Sequence, residues 1–265
     1  MIDDHYEIYA IKYAHLMRRS PENFLGGDEH DTEMPLNYYV WVISGNGRHV
    51  VVDTGFNREM AKKRSRKIIH PVEDGLNALG IVPTRVSDVI ITHMHYDHAG
   101  NLPLFSGARF HVQDKEMHYV TGRCMCHGTM RHAYEIEDVT HLVRCVFDQR
   151  VEFHSGSDEL APGIEVHHIG GHTMGIQAVR VRTRRGWVVL ASDASHFYAH
   201  LNQDRLFPIV HNVADMHEGF KTLKRLATSQ AHIVPGHDPL VMARYPVAKP
   251  GMEDWIVRLD AEPRG

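Results

Sequence analysis

The 265-residue sequence has only three cysteines, no excess of positive charge and no long run of apolar residues. An odd number of cysteines makes a poor disulfide framework and fits a reducing compartment. The formal charge of -4, from 29 basic and 33 acidic residues, gives no broad positive field for binding nucleic acid. No apolar run is long enough to cross a bilayer, and the N-terminus lacks the apolar stretch of a signal peptide. These absences favour a cytoplasmic protein that binds neither nucleic acid nor membranes.

The remaining composition is that of a globular protein. Hydrophobic residues make up 43% of the chain, which is enough to form a core. No repeat, low-complexity tract or linker divides the chain, so residues 1–265 are predicted to form a single domain. Strands are predicted at 38–43, 49–55, 88–95, 108–113, 164–170, 178–183, 187–193 and 232–238, and helices at 57–69, 71–79, 114–120 and 214–229. Hairpins interleaved with helices predict mixed sheets covered by helices, an α/β layered architecture.

Several charged or thiol-bearing segments are interpreted without a function. The basic cluster at 61–67 is typical of a solvated helix face, and the one at 182–186 predicts a hairpin turn. Cys124 and Cys126 are ligand types that zinc accepts, but no neighbouring residues complete a four-ligand set, so they are interpreted as reduced loop thiols. The stretch 121–150 has little periodicity and is predicted to form a helical or looping insertion beside the site.

Histidine is abundant, with 23 in the chain, so clusters of histidines carry more meaning than single ones. The segment ITHMHYDHAG places His93, His95, Asp97 and His98 directly after an apolar run. Residues two apart in an extended segment point to the same side, so His93 and His95 can bind one metal ion together. Asp97 and His98 follow where a Gly-Asn pair indicates a turn, and they can face a second ion.

Three further segments also place a ligand-type residue just after an apolar strand. They are HHIGGHTMG with His172, VVLASDASH with Asp193 and HIVPGHD with His237. Because loops gather at one edge of a sheet, these side chains are expected to meet the first cluster. Imidazole and carboxylate ligands without thiolate suit zinc or a similar divalent ion. Together the segments can supply two metal ions.

The combined pattern resembles that of the metallo-β-lactamase-fold hydrolases over roughly residues 35–240. The family motif HxHxDH and the later ligand positions are matched by His93, His95, Asp97, His98, His172, Asp193 and His237. The resemblance implies a four-layer αβ/βα sandwich of two mixed sheets flanked by helices. It implies that His93, His95 and His172 hold one ion, that Asp97, His98 and His237 hold the other, and that Asp193 bridges them. It also implies that Asp53, in VVDTG, supports the ligands from behind.

Within this fold, the segments around the ligands are most similar to those of the N-acyl homoserine lactonases. The resemblance implies a hydrolase in which a hydroxide bridging two divalent ions, with Zn²⁺ favoured, opens an N-acyl homoserine lactone or another small lactone. If the lactone is a signal molecule, its opening is quorum quenching. Asp97 is assigned to catalysis as well as to metal binding. The best-known lactonases have a tyrosine three residues after the bridging aspartate, where this chain has His196. We therefore predict that His196, or Tyr198 nearby, positions the substrate or protonates the leaving group.

Two alternative functions remain. A glyoxalase-II-like thioester hydrolase would use the same metals, but it grips glutathione with a basic C-terminal region, and residues 245–265 have mixed charge. A non-catalytic metal-loaded ligand-binding module has no need of a hydroxide-generating metal pair. Substrate specificity is predicted to reside in loops at 15–36, 121–150 and 197–213, with a small-molecule lactone as the partner. A homodimer is expected by analogy with the family.

Overall fold

The computed structural model describes residues 5–264, in which two β-sheets pack face to face. The strands of the first sheet are β1 (Glu7–Leu16), β2 (Leu36–Gly45), β3 (Arg48–Val52), β4 (Lys67–Ile68), β5 (Asp88–Ile90), β6 (Arg109–Gln113), β7 (Val151–His154) and β13 (Ile256–Arg258). Those of the second are β8 (Ser157–Ala161), β9 (Ile164–His168), β10 (Gln177–Thr183), β11 (Gly186–Ser192) and β12 (Ile233–Pro235).

Both sheets are mixed. The first has the strand order β13-β1-β2-β3-β5-β6-β7, with β4 paired to β1. Strands β1, β2 and β3 pair antiparallel, whereas β3, β5, β6 and β7 run parallel. The second has the order β12-β11-β10-β9-β8, and β10 and β11 form the predicted hairpin, in which Gly186 adopts a φ of 121°. Strands β11 and β12 are parallel, so their carboxyl ends meet at one edge.

The main core lies between the sheets, and strand β2 shows how it is formed. Tyr39, Trp41 and Ile43 of β2 face the second sheet, whereas Tyr38 and Val40 face the helices outside the first. Because side chains alternate along a strand and both faces of β2 are covered, the strand is apolar on both faces. The opposing residues of the second sheet include Ile164 and Val166 of β9, Val179 and Val181 of β10, and Val188 and Leu190 of β11.

Helices cover the outer face of each sheet or lie at the edges of the sandwich. They are α1 (Arg58–Lys63), α2 (Val72–Ala78), α3 (Tyr96–Ala99), α4 (Asp114–Val120), α5 (Gly128–Arg131), α6 (Ile136–Phe147), α7 (Tyr198–Gln203), α8 (Val213–Leu226) and α9 (Leu240–Arg244). Helix α8 packs Met216, Phe220 and Leu223 on the second sheet, and α2 packs Leu76 on the first. The four layers confirm the predicted sandwich of two mixed sheets flanked by helices. Among the described residues, no helix combines the length and apolarity needed to cross a membrane.

Some predicted elements differ from the structure. The strand predicted at 88–95 ends at Ile90, so His93 and His95 lie in the loop that follows and not on an extended strand. The stretch 121–150 contains α5 and α6. Five strands, β1, β4, β7, β8 and β13, were not predicted, and β4 lies where the helix at 57–69 was expected to continue.

Candidate metal centre

The predicted ligand residues all lie at one edge of the sandwich, in loops that follow strands. They are His93 and His95 after β5, Asp97 and His98 in the single turn of α3, His172 after β9, Asp193 after β11 and His237 after β12. Each is buried, with at most 8% of its surface exposed. Two groups have ligand atoms within 4.8 Å of one another: His93, His95, His172 and Asp193 in one, and Asp97, His98 and His237 in the other. A third group of this kind joins Asp193 and His237 to His196.

The first group has the spacing of a metal site. His93 Nε2 lies 3.0 Å from His95 Nδ1, and His172 Nε2 lies 3.1 Å from the same atom. Asp193 Oδ2 is 3.3 Å from His172 Nε2. Ligands bound to zinc at about 2.0–2.1 Å in a tetrahedron stand roughly 3.3 Å apart. These side chains therefore fit around a single divalent cation.

The second group faces the other oxygen of the same aspartate. Asp193 Oδ1 lies 2.9 Å from His237 Nε2 and 3.2 Å from His98 Nε2. Asp97 Oδ2 completes this group, at 3.7 Å from His98 Nε2 and 3.8 Å from His237 Nε2. The two oxygens of Asp193 therefore face different ligand groups, which is the placement a bridging carboxylate needs.

Unsatisfied atoms support the assignment of a cation to this place. His98 Nε2 and Asp193 Oδ1 are buried and have no hydrogen-bond partner among the described residues, although they lie close together. A buried polar atom without a partner costs about 1–3 kcal/mol, so such atoms call for an explanation. Imidazole nitrogens and carboxylate oxygens that converge without donors are the ligands of zinc and related ions. The residues present thus fit divalent metal binding.

In three of the ligand histidines, a hydrogen bond of the far ring nitrogen fixes the orientation of the ring. His98 Nδ1 donates to Asp53 Oδ2 at 2.7 Å, His172 Nδ1 to the Ile209 carbonyl at 2.8 Å, and His237 Nδ1 to the Asn37 carbonyl at 2.8 Å. Each of these rings must then present Nε2, with its lone pair, to the centre.

Burial and charge decide the protonation of the ligands. Burial lowers the pKa of His93 and of His95 well below the usual value, and neighbouring imidazoles lower it further. For His98 burial acts in the same direction, but the carboxylates of Asp193 and Asp53 outweigh it and raise the pKa. Neutral imidazoles are the form that binds a metal, so the burial of His93 and His95 prepares them as ligands.

Asp53 lies behind the ligands, as the resemblance implies. It is fully buried with a φ of 62°, a conformation that a non-glycine residue adopts at some energetic cost. Its Oδ1 accepts from the Thr92 backbone N–H at 2.7 Å, and its Oδ2 accepts from the Thr92 hydroxyl at 2.8 Å as well as from His98. Burial raises the pKa of Asp53, while these donors favour its charged form.

Glu116 is a buried carboxylate that the sequence analysis missed. Its Oε1 accepts from the Met94 N–H at 2.8 Å, and its Oε2 accepts from the Thr173 hydroxyl at 2.6 Å and the Gly175 N–H at 3.1 Å. It thereby ties the loop of His93 and His95 to the loop of His172. A Cβ on Gly175 would lie 2.0 Å from the Glu116 nitrogen, so only glycine allows this approach. Burial raises the pKa of Glu116 to about 7. In the segment DKEMHYV, Glu116 differs from its charged neighbours only in its position, which lies on the inner side of α4.

The structure separates the two residues predicted to assist catalysis. His196 Nε2 lies 3.0 Å from Asp193 Oδ2, and its ring stacks on Phe207 with centroids 3.7 Å apart. Tyr198 instead packs in the core between the sheets, where Arg244 lies over its ring at 4.3 Å. The structure therefore corrects the expectation that Tyr198 reaches the centre: the start of α7 turns its side chain inward, while His196 stays in the wall of the site.

A cavity of about 90 Å³ opens onto the ligands. Besides His95, Asp97, His172, Asp193, His196 and His237, it is lined by Leu16, Arg18, Leu36, Tyr38, Arg64, Arg66, Tyr96, His132, Ala133, Phe207 and Ile209. All three predicted specificity loops contribute. The interpretation of 61–67 as a solvated helix face is wrong for Arg64 and Arg66, because α1 ends at Lys63 and the chain then brings both arginines to the cavity.

A larger surface hollow of about 920 Å³ adjoins this cavity and shares Arg64 and His132 with it. Its apolar lining comes from Val120, Met125, Tyr134, Ile136 and Val139. Cys124 and Cys126 flank Met125, a residue of this lining, and both are free thiols.

The chain is similar to known proteins in both sequence and fold. The sequence model described as "Metallo-beta-lactamase superfamily" matches residues 34–237. N-acyl homoserine lactonase AttM of Azorhizobium caulinodans is 26% identical over 231 residues, which cover 80% of this chain and 85% of that protein. An N-acyl homoserine lactonase of a Bacillus species is 28% identical over 123 residues, and that match spans 43% of its length and 46% of this chain.

Among solved structures, a quorum-quenching N-acyl homoserine lactone lactonase superposes with a TM-score of 0.74 at 21% identity, covering 91% of this chain and 95% of that one. This similarity concerns the fold, and the sequence match covers most of the chain, including every predicted metal ligand. The chain therefore belongs to the metallo-beta-lactamase superfamily.

Proposed function

We propose that the protein is a dinuclear metal-dependent lactonase that hydrolyses the ester bond of a lactone ring. The observation that carries the proposal is the placement of Asp193, whose two carboxylate oxygens face two different groups of buried ligands. The similarity to N-acyl homoserine lactonases supports a lactone as the substrate class. The proposal includes two Zn²⁺ ions, a cytoplasmic location and, if signal lactones are opened, quorum quenching.

In lactone hydrolysis, the oxygen of one water bonds to the carbonyl carbon and the ring C–O bond breaks. One proton of the water passes to the departing ring oxygen, and the other is released as the product acid ionises. Two divalent ions supply Lewis acidity and lower the pKa of a bound water from about 15.7 towards 7. Hydrogen bonds of Asp53 with Thr92 and of Glu116 with Met94 fix the positions of the ligand loops before substrate binds, which reduces the reorganisation that the reaction requires.

We assign the leaving group of this reaction to His196. Its Nε2 lies beside Asp193 and in the wall of the cavity, where it can protonate or orient the departing ring oxygen. Stacking on Phe207 limits rotation of the imidazole. Tyr38, buried in the same wall with its hydroxyl 3.3 Å from that of Tyr96, stays protonated because burial raises its pKa, and it offers a hydrogen-bond donor to the substrate.

The proposal is tested by measuring proton release at constant pH with protein whose metal content has been determined. The substrates are N-acyl homoserine lactones, simple γ-lactones, aromatic lactones and S-lactoylglutathione. We expect lactones to be opened, the activity to disappear with a chelator, and Zn²⁺ to restore it. His95→Ala is expected to be inactive, and His49→Ala, at an exposed position in β3, serves as its matched control.

Two other results would identify the alternative functions. Hydrolysis of the thioester alone would replace the proposal with a glyoxalase-II-like activity. Protein that binds two metal ions but hydrolyses no substrate of the panel would be a metal-loaded ligand-binding module.

A further inference from the structure

Two arginines at the cavity are brought together by strand pairing. Arg18 follows β1, and Arg66 directly precedes β4, which pairs with β1 through Ala14 and His15. Both line the cavity that opens onto the ligand cluster. The guanidinium of Arg18 lies 5.2 Å from the ring of Phe207, the residue stacked on His196. Arg18 and Arg66 therefore line the same cavity, and Arg18 lies beside the ring that stacks on the proposed leaving-group residue.

Arg66 keeps its positive charge available. Its Nε donates to the Tyr96 hydroxyl at 3.0 Å, and its Nη1 donates to the Arg64 carbonyl at 2.7 Å. Both partners are neutral, and within residues 5–264 Arg66 forms no ion pair. The two bonds fix the orientation of the guanidinium and leave Nη2 for another acceptor.

Arg18 is held in a similar way. Its Nη2 donates to the Glu22 carbonyl, and the Glu22 carboxylate lies 3.9 Å from its Nε, at the long limit of an ion pair. The side chain of Arg18 is 20% exposed, against 56% for that of Glu22, so solvent screens this carboxylate. The third arginine at the cavity, Arg64, differs because Glu135 neutralises it at 2.6 Å.

A partly buried guanidinium is costly unless an anion accompanies it, and here, among the residues that the structure describes, Arg66 has no carboxylate at ion-pair distance while Arg18 has only the solvent-screened one of Glu22. A guanidinium offers parallel N–H donors that match a carboxylate or phosphate. We propose that Arg18 and Arg66 form a subsite for an anionic group of the substrate, so that the preferred lactone carries a carboxylate or a similar anion on or near its ring. This inference rests on the proposed lactonase function.

The size of the cavity supports the same substrate class. A volume of about 90 Å³ fits a small ring with a short substituent. The acyl chain of a signal lactone would have to leave the cavity past Arg64 and lie in the apolar hollow lined by Met125 and Ile136. A preference for that neutral, long-chain substrate is the competing outcome of the test.

The experiment compares two substrates that differ only in charge: γ-butyrolactone carrying a carboxylate on the ring carbon next to the ring oxygen, and the corresponding carboxamide. We expect kcat/KM to be about tenfold higher for the carboxylate. In Arg66→Gln and Arg18→Gln, kcat/KM for the carboxylate should fall roughly ten- to a hundredfold, as for a lost charge-assisted hydrogen bond, and that for the carboxamide less than about threefold. Arg58→Gln, exposed at the start of α1, is the matched control and should change neither value.

A binding measurement separates failure of the inference from failure of the proposed function. The ring-opened products of the two lactones are titrated by calorimetry into wild-type protein and Arg66→Gln. Tighter binding of the dicarboxylate, lost in the variant, supports the anion subsite even if no lactone is turned over. Equal binding of the two products, or equal effects of Arg66→Gln on both lactones, would overturn the inference. So would a preference for long-chain N-acyl homoserine lactones that Arg66→Gln leaves unchanged, although the lactonase function would then stand.

Discussion

Nε2 of His196 lies 3.0 Å from Oδ2 of Asp193, the carboxylate that faces both ligand groups. The imidazole therefore adjoins the reacting centre, where it is placed either to bind a metal ion or to handle the leaving group. The imidazoles of His98, His172 and His237 each have the far nitrogen fixed by a protein acceptor. Nδ1 of His196 is buried without a partner, which marks the residue as different from them.

We predict that His196→Ala keeps its metal and loses turnover. Loss of a proton donor should lower kcat for lactones by about 10²–10⁴, while elemental analysis finds the wild-type metal content. His196→Tyr restores the residue type of the best-known lactonases and should recover part of the activity. A substantial fall in the metal content of His196→Ala would instead identify His196 as a ligand.

Asp53 is not a predicted metal ligand, yet Asp53→Asn is predicted to weaken metal binding. The carboxylate orients His98 through a 2.7 Å hydrogen bond, and supporting residues of this kind typically change metal affinity by about 10–100-fold. Competition with a chromophoric chelator measures the affinity. Asp88→Asn is a matched control, because Asp88 accepts from His111 Nε2 at 3.1 Å in a similar pair outside the centre. Equal metal affinity in wild type and Asp53→Asn would show that His98 does not need this support.

The ligand residues were predictable because their signal is local. Four of them lie within six positions, and the others follow apolar strands in short recognisable segments. Strand β1 was missed because its pattern is irregular: the register shifts between Lys12 and Ala14, which breaks the alternation of buried and exposed residues. The edge strand β13 has three residues, too few for a periodic signal.

The contributions of Glu116 and Arg66 were not predictable for a different reason. Glu116 contacts Thr173, 57 positions away, and Arg66 contacts Tyr96, 30 positions away. No spacing in the sequence records such pairs, and both residues lie in segments where most of the charged neighbours are exposed. Their roles follow from the packing of loops at the edge of the sandwich.

Glu116→Ala is predicted to destabilise the protein strongly. The substitution leaves the Met94 N–H, the Thr173 hydroxyl and the Gly175 N–H without their acceptor inside the protein. Each such group costs about 1–3 kcal/mol, so the free energy of unfolding in urea should fall by roughly 3 kcal/mol or more. Glu152→Ala, at an exposed position of β7, should change it by less than about 0.5 kcal/mol. A loss for Glu116→Ala as small as that of the control would show that water replaces the carboxylate.

Asp138→Asn is predicted to stabilise the protein, and only at higher pH. Oδ2 of Asp138 is buried without a hydrogen-bond partner among the described residues, and burial together with the charge of Glu135 raises the pKa of Asp138 to about 7. The unfolded chain has a value of about 3.9, so between about pH 4 and 7 the folded state binds more protons than the unfolded state. The free energy of unfolding therefore falls as pH rises through this window.

Asparagine is neutral at every pH, so the variant should escape this loss. Unfolding in urea, with a chelator present so that metal release does not contribute, should give similar free energies for wild type and Asp138→Asn near pH 4. At pH 8 the variant should be more stable by roughly 1–3 kcal/mol. Glu137→Gln, the exposed neighbour on α6, controls for the change in net charge. A difference between wild type and Asp138→Asn that stays constant from pH 4 to 8 would mean that Asp138 is already ionised in the folded protein at low pH, and that Glu135 and the burial of the side chain do not hold its proton.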